Sequence, residues 1–248
     1  MKRLLAFDLD GTLAESKQPL GDQMAASLSA LLTIAMVAVI SGGDWPQLEK
    51  QVVSRLRRDV RLDRLFIMPT TGAKLFRFSQ GAWRQVYAQN FSSTERERIL
   101  AALDQAVAEA RLETDQLWGP RVEDRGSQIT FSALGQAAPL DAKKAWDPDM
   151  SRRQALQQQL SAALPDLSVK IGGSTSIDIT RPGIDKAFAI ARLVEHAGVS
   201  REEILFLGDA IYPGGNDEPV RATGVDSIRV RDPAETVAIV DALVAWER

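Results

Sequence analysis

The chain has 248 residues and a formal net charge of −3 with its charges interspersed, which gives no basic field for nucleic acid and permits one large core or a core plus a smaller domain. It contains no cysteine, so disulfides, thiolate metal sites and cysteine nucleophiles are excluded. No apolar run approaches the ~18 residues that span a membrane, and Asp8 interrupts the apolar stretch behind Met1-Lys2-Arg3 before it reaches signal-peptide length, so a cytoplasmic protein with no membrane partner is expected.

In chain order, Leu4-Leu5-Ala6-Phe7 opens a strand predicted over 4–10 that ends in Asp8-Leu9-Asp10-Gly11-Thr12. Four consecutive apolar residues indicate a strand buried on both faces, and such strands hold ligands beyond their carboxyl ends. Asp8 and Asp10 stand there, one residue apart. Two acids so close repel unless a cation or proton lies between them, so the pair points to bound Mg2+ with one carboxylate free to attack phosphorus. The pattern then predicts a helix near 21–32, a strand over 33–41, a helix near 46–58 and a strand over 65–69. The second strand runs into Ser41-Gly42-Gly43-Asp44, where a hydroxyl and loose backbone N–H groups suit phosphate oxygens.

The middle of the chain loses this alternation. Trp83 to Ala88, Gln128 to Ser132 and Val169 to Thr180 are predicted as strands, with helices near 94–111 and 149–164. After it the alternation resumes, with a helix over 186–197, strands over 204–209 and 225–230 and a helix over 233–246. The expected fold is α/β: a doubly wound parallel sheet, Rossmann-like, from residues 1–80 and 184–248, with an inserted α+β cap domain from 81–183. Ser79-Gln80-Gly81 and Pro182-Gly183 mark the expected crossings between them. Lys186 opens the helix after the insertion, and Gly208-Asp209 repeats the strand-then-acid pattern ahead of Pro213-Gly214-Gly215-Asn216-Asp217.

Asp8-Leu-Asp10-Gly-Thr12, Ser41-Gly42, Lys186 and Gly208-Asp209 through Asn216-Asp217 resemble, in order and spacing, the four motifs of the haloacid dehalogenase superfamily. Gly172 to Asp178, Gly183-Ile184-Asp185-Lys186 and Gly208 to Asp217 are most similar to the eukaryotic-type phosphomannomutases and their bacterial relatives with the same (type IIB) cap, along essentially the whole chain. The resemblance implies that Asp8 is the nucleophile and forms an aspartyl phosphate, while Asp10 gives a proton to the leaving oxygen and later takes one from the acceptor. It implies Mg2+ held by the Asp8 carboxylate, the Asp10 carbonyl and Asp209, with Asn216 and Asp217 behind them or bridged by water. Ser41 and Lys186 would bind the phosphoryl oxygens, with Gly42 beside them and Thr12 assisting.

Specificity is expected from the cap, where Arg125, Ser176 and Asp178 match the residues with which the family grips a distal phosphate and sugar hydroxyls. Gln136 and Lys143 stand where arginines are expected. A glutamine adds no charge, and a lysine offers a point charge where a bidentate fork was used. A mutase must retain a doubly phosphorylated sugar while it turns over; a phosphatase need not. The departure therefore favours Mg2+-dependent hydrolysis of a hexose phosphate by a monomer or homodimer. The alternative is a phosphomannomutase interconverting mannose 1-phosphate and mannose 6-phosphate. A catalytically dead binding protein fits less well, since Asp8, Asp10, Asp209 and Lys186 are all kept. His196, late in its helix, is expected at the helix end, and Trp45 in core packing or against the site.

Overall fold

The computed structural model describes residues 2–247 except Arg58, Arg111, Glu113 and Asp115. Its contacts divide the chain into two compact units, Met1–Ala88 with Ile184–Arg248, and Gln89–Gly183.

The first unit is built on a seven-stranded sheet. Its strands are β1 (Leu4–Asp8), β2 (Met36–Ile40), β3 (Leu65–Met68), β4 (Lys74–Ser79), β5 (Ala82–Ala88), β10 (Ile204–Gly208) and β11 (Asp226–Arg229), in the order β11-β10-β1-β2-β3-β4-β5. From β11 to β3 all neighbours are parallel, whereas β4 and β5 are antiparallel. β1 is central and every residue in it is buried. Leu5 and Phe7 project into one apolar cluster, which takes in Leu28, Leu31 and Leu32 of α1 (Asp22–Ile34), Leu48 of α2 (Trp45–Gln51) and Val237, Val240 and Val244 of α7 (Pro233–Trp246). Leu4 and Ala6 face a second cluster with Ala189, Ile190 and Leu193 of α6 (Lys186–Ala197). Helices on both faces explain why these strands are uniformly apolar rather than alternating.

The second unit carries a four-stranded antiparallel sheet, β6 (Val122–Asp124), β7 (Gln128–Ser132), β8 (Ser168–Ile171) and β9 (Ser176–Thr180), in the order β6-β7-β9-β8. Ile129, Phe131, Ile177 and Ile179 turn to a core shared with Ile99 and Leu103 of α3 (Ser93–Glu109) and Leu156 and Leu160 of α5 (Ser151–Ala163). The residues between them in β7 and β9 (Gln128, Thr130, Ser132, Ser176, Asp178, Thr180) form the opposite, polar face, as a period of two requires. Ser92 and Glu95 cap α3 reciprocally, which fixes its start.

Several expectations are corrected. The strand expected at Trp83–Ala88 belongs to the first sheet, not to the inserted unit, because Gln80 (φ 51°) and Gly81 (φ 78°) close a tight hairpin that folds β5 back on β4. Ser79-Gln80-Gly81 is thus a hairpin turn, and the units part at 88/89 rather than 80/81. The helix expected near 46–58 stops at Gln51 and gives way to a short 3₁₀ turn at Val53–Arg55, consistent with the poor helix propensity of Val52-Val53. Its expected end at Arg58, like that of the 94–111 helix at Arg111, lies outside the described residues. The single strand expected over Val169–Thr180 is two strands joined through Gly172-Gly173. Helix α4 (Leu140–Trp146), which follows Pro139, was not expected.

Candidate active site

Parallel strand order brings three chain segments to one edge of the first sheet. Asp8 ends β1 in register with Ile40, so Ser41 follows on the next strand, and Asp209 follows β10 on the other side. Lys186 arrives as the first residue of α6, whose start is capped by the Asp185 carboxylate accepting from the Phe188 N–H at 3.0 Å.

The centre of the site is a buried ionic group. Lys186, 1% exposed, donates from Nζ to Asp8 Oδ1 at 2.6 Å and to Asp217 Oδ1. Asp217 is fully buried and its other oxygen accepts from the Ala210 N–H at 3.0 Å. Asp8, Asp209 and Asp217 each place a carboxylate oxygen within 4.8 Å of the others. Burial pushes the Asp8 carboxyl up to about 6, with Asp217 adding to the rise and Lys186 opposing it. Asp209 is raised by burial and then by Asp217. Burial alone would lower Lys186, but the two carboxylates beside it reverse the sign and it stays charged. Three acids against one ammonium leave negative charge in a dehydrated place, and an all-oxygen donor set is what a hard divalent cation selects.

Around this centre, Gly11 (φ 85°) permits a turn so close that a Cβ there would stand 2.5 Å from Asp209 Oδ2. Asp10 is half-buried, outside the carboxylate trio, and its Oδ1 accepts from the Lys17 N–H at 2.7 Å. Thr12 is fully buried, and its Oγ1 has no hydrogen-bond partner among the described residues. Ser41 is buried, and its Oγ accepts from the Gly43 N–H at 3.2 Å, with Gly42 exposed beside it. Asn216 is exposed in the loop before Asp217. The structure therefore brings together Asp8, Lys186, Asp209 and Asp217, and places Asp10, Thr12, Ser41 and Gly42 on the adjoining loops.

The residues expected to select substrate lie in the second unit. On its polar sheet face, Asp178 Oδ1 accepts from Thr130 Oγ1 at 2.7 Å and from Gln128 Nε2 at 3.0 Å, and burial raises its carboxyl despite those bonds and the nearby Arg125. Arg125 donates to Glu123 Oε2 at 2.7 Å. Lys143 Nζ donates to the Gln136 carbonyl at 3.0 Å, while Gln136 Nε2 is buried with no hydrogen-bond partner among the described residues. Ser176, half-buried at the start of β9, is two residues from Asp178 on the same face.

Sequence reasoning missed several partners in both units. Thr130, Gln128 and Glu123 were not singled out, though alternation along β7 was a signal for the first two. Asp44 and Lys74 form an ion pair at 2.7 Å behind the Ser41 loop, across 30 positions of sequence, which no local pattern announces. Trp45 stacks on Phe76 with centroids 4.3 Å apart and meets Trp83 at a tilt, with centroids 5.3 Å apart. His196 stacks on Tyr87 at 5.3 Å, a side-chain contact beyond the helix-end role expected of it.

A family model described as eukaryotic phosphomannomutase matches residues 24–246. The chain belongs to the eukaryotic phosphomannomutase family. This places it in the haloacid dehalogenase superfamily and makes it an enzyme of phosphoryl transfer. Relatives include the phosphomannomutase of Encephalitozoon cuniculi, 25% identical over 251 residues and covering 97% of this chain and 93% of the relative. The phosphomannomutase of Saccharomyces cerevisiae is 25% identical over 249 residues, with the same coverage of 97% and 93%. Among solved structures, IMP-bound, N-terminally truncated IMP-nucleotidase of Plasmodium falciparum aligns with a TM-score of 0.71 at 15% identity, over 98% of this chain and 68% of that one. The trehalose-6-phosphate phosphatase of Aspergillus fumigatus aligns with a TM-score of 0.60 at 16% identity, over 98% and 93%. These two share the fold with this phosphomannomutase-family chain.

Proposed function

We propose that this phosphomannomutase-family protein is a sugar-phosphate mutase that moves a phosphoryl group between two positions of a hexose through an aspartyl phosphate. The observation that carries the reading is the near end-to-end match to phosphomannomutases, joined to a buried Asp8–Lys186–Asp217 group with Asp209 beside it. The preference for hydrolysis drawn from Gln136 and Lys143 yields to it, because relatives bearing the mutase name cover 97% of the chain. Gln136 still supports hydrolysis as a second reading, since an amide cannot match a guanidinium in holding a second phosphate.

In this reading an Asp8 carboxylate oxygen attacks phosphorus, the bond from phosphorus to the ester oxygen breaks, and Asp10 donates the proton that the leaving oxygen takes up. The reverse step transfers the phosphoryl group from Asp8 to a sugar hydroxyl, whose proton returns to Asp10. Lys186 keeps Asp8 ionised for attack and offsets charge on the phosphoryl oxygens, and Ser41 and Thr12 offer hydroxyls to those oxygens. Mg2+ fits the oxygen donors Asp8, Asp209 and Asp217, to which we add the Asp10 carbonyl and Asn216 from the adjoining loops as further candidates, and its chemistry there would be charge neutralisation. In the second unit, Arg125, Gln136, Lys143, Ser176 and Asp178 are the groups to which we assign the sugar and its distal phosphate.

The test is turnover of mannose 1-phosphate and other hexose phosphates with Mg2+, with and without a hexose bisphosphate, scoring isomer against free phosphate. Isomer formation that rises with the bisphosphate is expected. Release of free phosphate in step with loss of ester, unaffected by bisphosphate, would replace the mutase by the hydrolase.

A further inference from the structure

Thr70, Thr71 and Gly72 all have positive φ, at 49°, 57° and 85°. For glycine this is ordinary. For two consecutive β-branched residues it is an outlier, and backbone strain of this kind persists only where surrounding structure over-determines it, most often at functional sites. Here the determinants are visible. The Thr70 N–H donates to the Gly43 carbonyl at 2.9 Å and the Thr71 N–H to the Ser41 carbonyl at 2.8 Å, so the turn is stitched to the loop that follows β2. The Lys74–Asp44 ion pair ties the same two segments a second time. Gly72 lies so near α6 that a Cβ on it would stand 2.5 Å from the Cβ of Ala189, one turn beyond Lys186, and its carbonyl accepts from Tyr87 Oη at 2.7 Å.

This bracing presents one side chain. Beyond its chain neighbours Ser41 and Gly43, a Cβ built on Gly42 would meet one atom within 4 Å, Thr71 Oγ1 at 4.0 Å, so the hydroxyl borders the space over Gly42. Thr71 is half-buried, and its hydroxyl makes no hydrogen bond among the described residues.

We infer that Thr71 is a further substrate-binding residue, its hydroxyl donating to an oxygen of the phosphoryl group seated against Ser41 and Gly42. The inference rests on the proposed phosphoryl-transfer reading and adds to it a residue from a loop that carries none of the four motifs. The strain has a reason in this reading: a left-handed turn aims the hydroxyl at Gly42.

The test compares Thr71→Ser, Thr71→Val and Thr71→Gly with the unaltered protein. Inorganic phosphate is titrated calorimetrically with Mg2+ present, KM is measured for p-nitrophenyl phosphate, and thermal unfolding is followed. Thr71→Val, which keeps shape and loses the hydroxyl, is expected to weaken phosphate binding and raise KM about fivefold, the scale of one lost neutral hydrogen bond. Thr71→Ser should restore both. Thr71→Gly relieves the backbone, so it should unfold no earlier than the unaltered protein yet bind phosphate as poorly as Thr71→Val. Unchanged phosphate binding and KM in Thr71→Val, or in Thr71→Gly should the valine variant not fold, would overturn the inference. Both probes lack a sugar, so failure of the unaltered protein to isomerise hexose phosphates defeats the mutase reading without touching this result. Failure of the unaltered protein to bind phosphate at all would overturn both.

Discussion

Asp8 carries opposing demands that its surroundings make measurable. Burial beside Asp217 disfavours its charge and Lys186 favours it, with the balance at about 6 against the usual 3.8. The sign follows from linkage: a carboxyl raised on folding binds more protons in the native state, so its contribution to metal-free stability falls as pH rises from about 3.8 to about 6. Asp8→Asn removes that charge at constant shape. The variant is expected to lose turnover while melting at or above the parent's temperature in chelator at pH 8, which a melting curve and an assay on one deamidation-checked sample decide. In the proposed metal role the same value would govern cation binding, since a protonated Asp8 is a poor ligand. Chelation should silence the enzyme and Mg2+ restore it, with apparent affinity for Mg2+ falling as pH drops below about 6. Full activity in excess chelator, after verified metal removal, would contradict the assignment. In the sequence, Asp8 and Asp209 were legible because each ends an apolar strand. The direct bond between Lys186 and Asp217 was not, since 31 residues separate them.

Among the secondary elements, the joint between α4 and α5 rests on a buried ion pair. Arg153 Nε donates to Asp147 Oδ2 at 2.8 Å, and its Nη1 reaches the Gly173 carbonyl at 2.9 Å, which anchors the β8–β9 hairpin to α5. Both side chains are under a tenth exposed. Breaking such a pair by removing one partner typically costs ~3–5 kcal/mol, because a buried charge is left uncompensated. Arg153→Met is therefore expected to lower the unfolding transition of the second unit by roughly that amount, as read by denaturant melts, and to loosen the loop before Ser176. Asp147 loses much solvation through burial, yet bonds from Arg153 and from the N–H groups of Arg152 and Arg153 hold its carboxyl below 3.8. The stability it gives is thus complete above about 3.8 and is lost as pH falls through the lower folded value. Local caps fix the starts of α3 and α6, close to where the sequence pattern placed them, whereas the β4–β5 hairpin was misplaced. Gln80-Gly81 signals a turn equally well whether it joins paired strands or leaves a domain.

For the molecule as a whole, apolar clusters respect the division of the chain. Among the described residues, the two clusters flanking the first sheet draw on residues 4–87 and 189–244, and the third on residues 91–179. Each unit thus has its own core. Excising Gln89–Gly183 and joining Ala88 to Ile184 through a Gly-Ser linker is expected to leave a cooperatively melting first unit with the Asp8–Lys186–Asp217 group intact. Circular dichroism melts check the fold, and loss of cooperativity would show that the units stabilise one another. The reaction itself is tested in the intact chain through Gln136→Arg. Adding a guanidinium should raise the ratio of isomer to free phosphate, about tenfold for each 1.4 kcal/mol gained in holding a bisphosphorylated sugar. Hydrolysis of p-nitrophenyl phosphate should hardly change. An unaltered ratio in a folded variant would detach Gln136 from the choice of reaction.

From sequence alone, what could be determined was whatever is local: apolar strands ending in acids, the Ser41-Gly42 and Lys186 segments in order, the absence of cysteine chemistry, and an α/β chain interrupted by an insertion. These survive because strand burial, caps and motif order depend on neighbouring residues. Tertiary structure decided the rest. It made Lys186 the shared partner of Asp8 and Asp217, turned Asp178 to Thr130 and Gln128, folded Ala82–Ala88 into the first sheet and clamped Thr70-Thr71 to the Ser41 loop. Each of these joins groups through a fold in which charge, desolvation and backbone strain are balanced by contacts distant in sequence, and no window of neighbouring residues contains both sides of that balance.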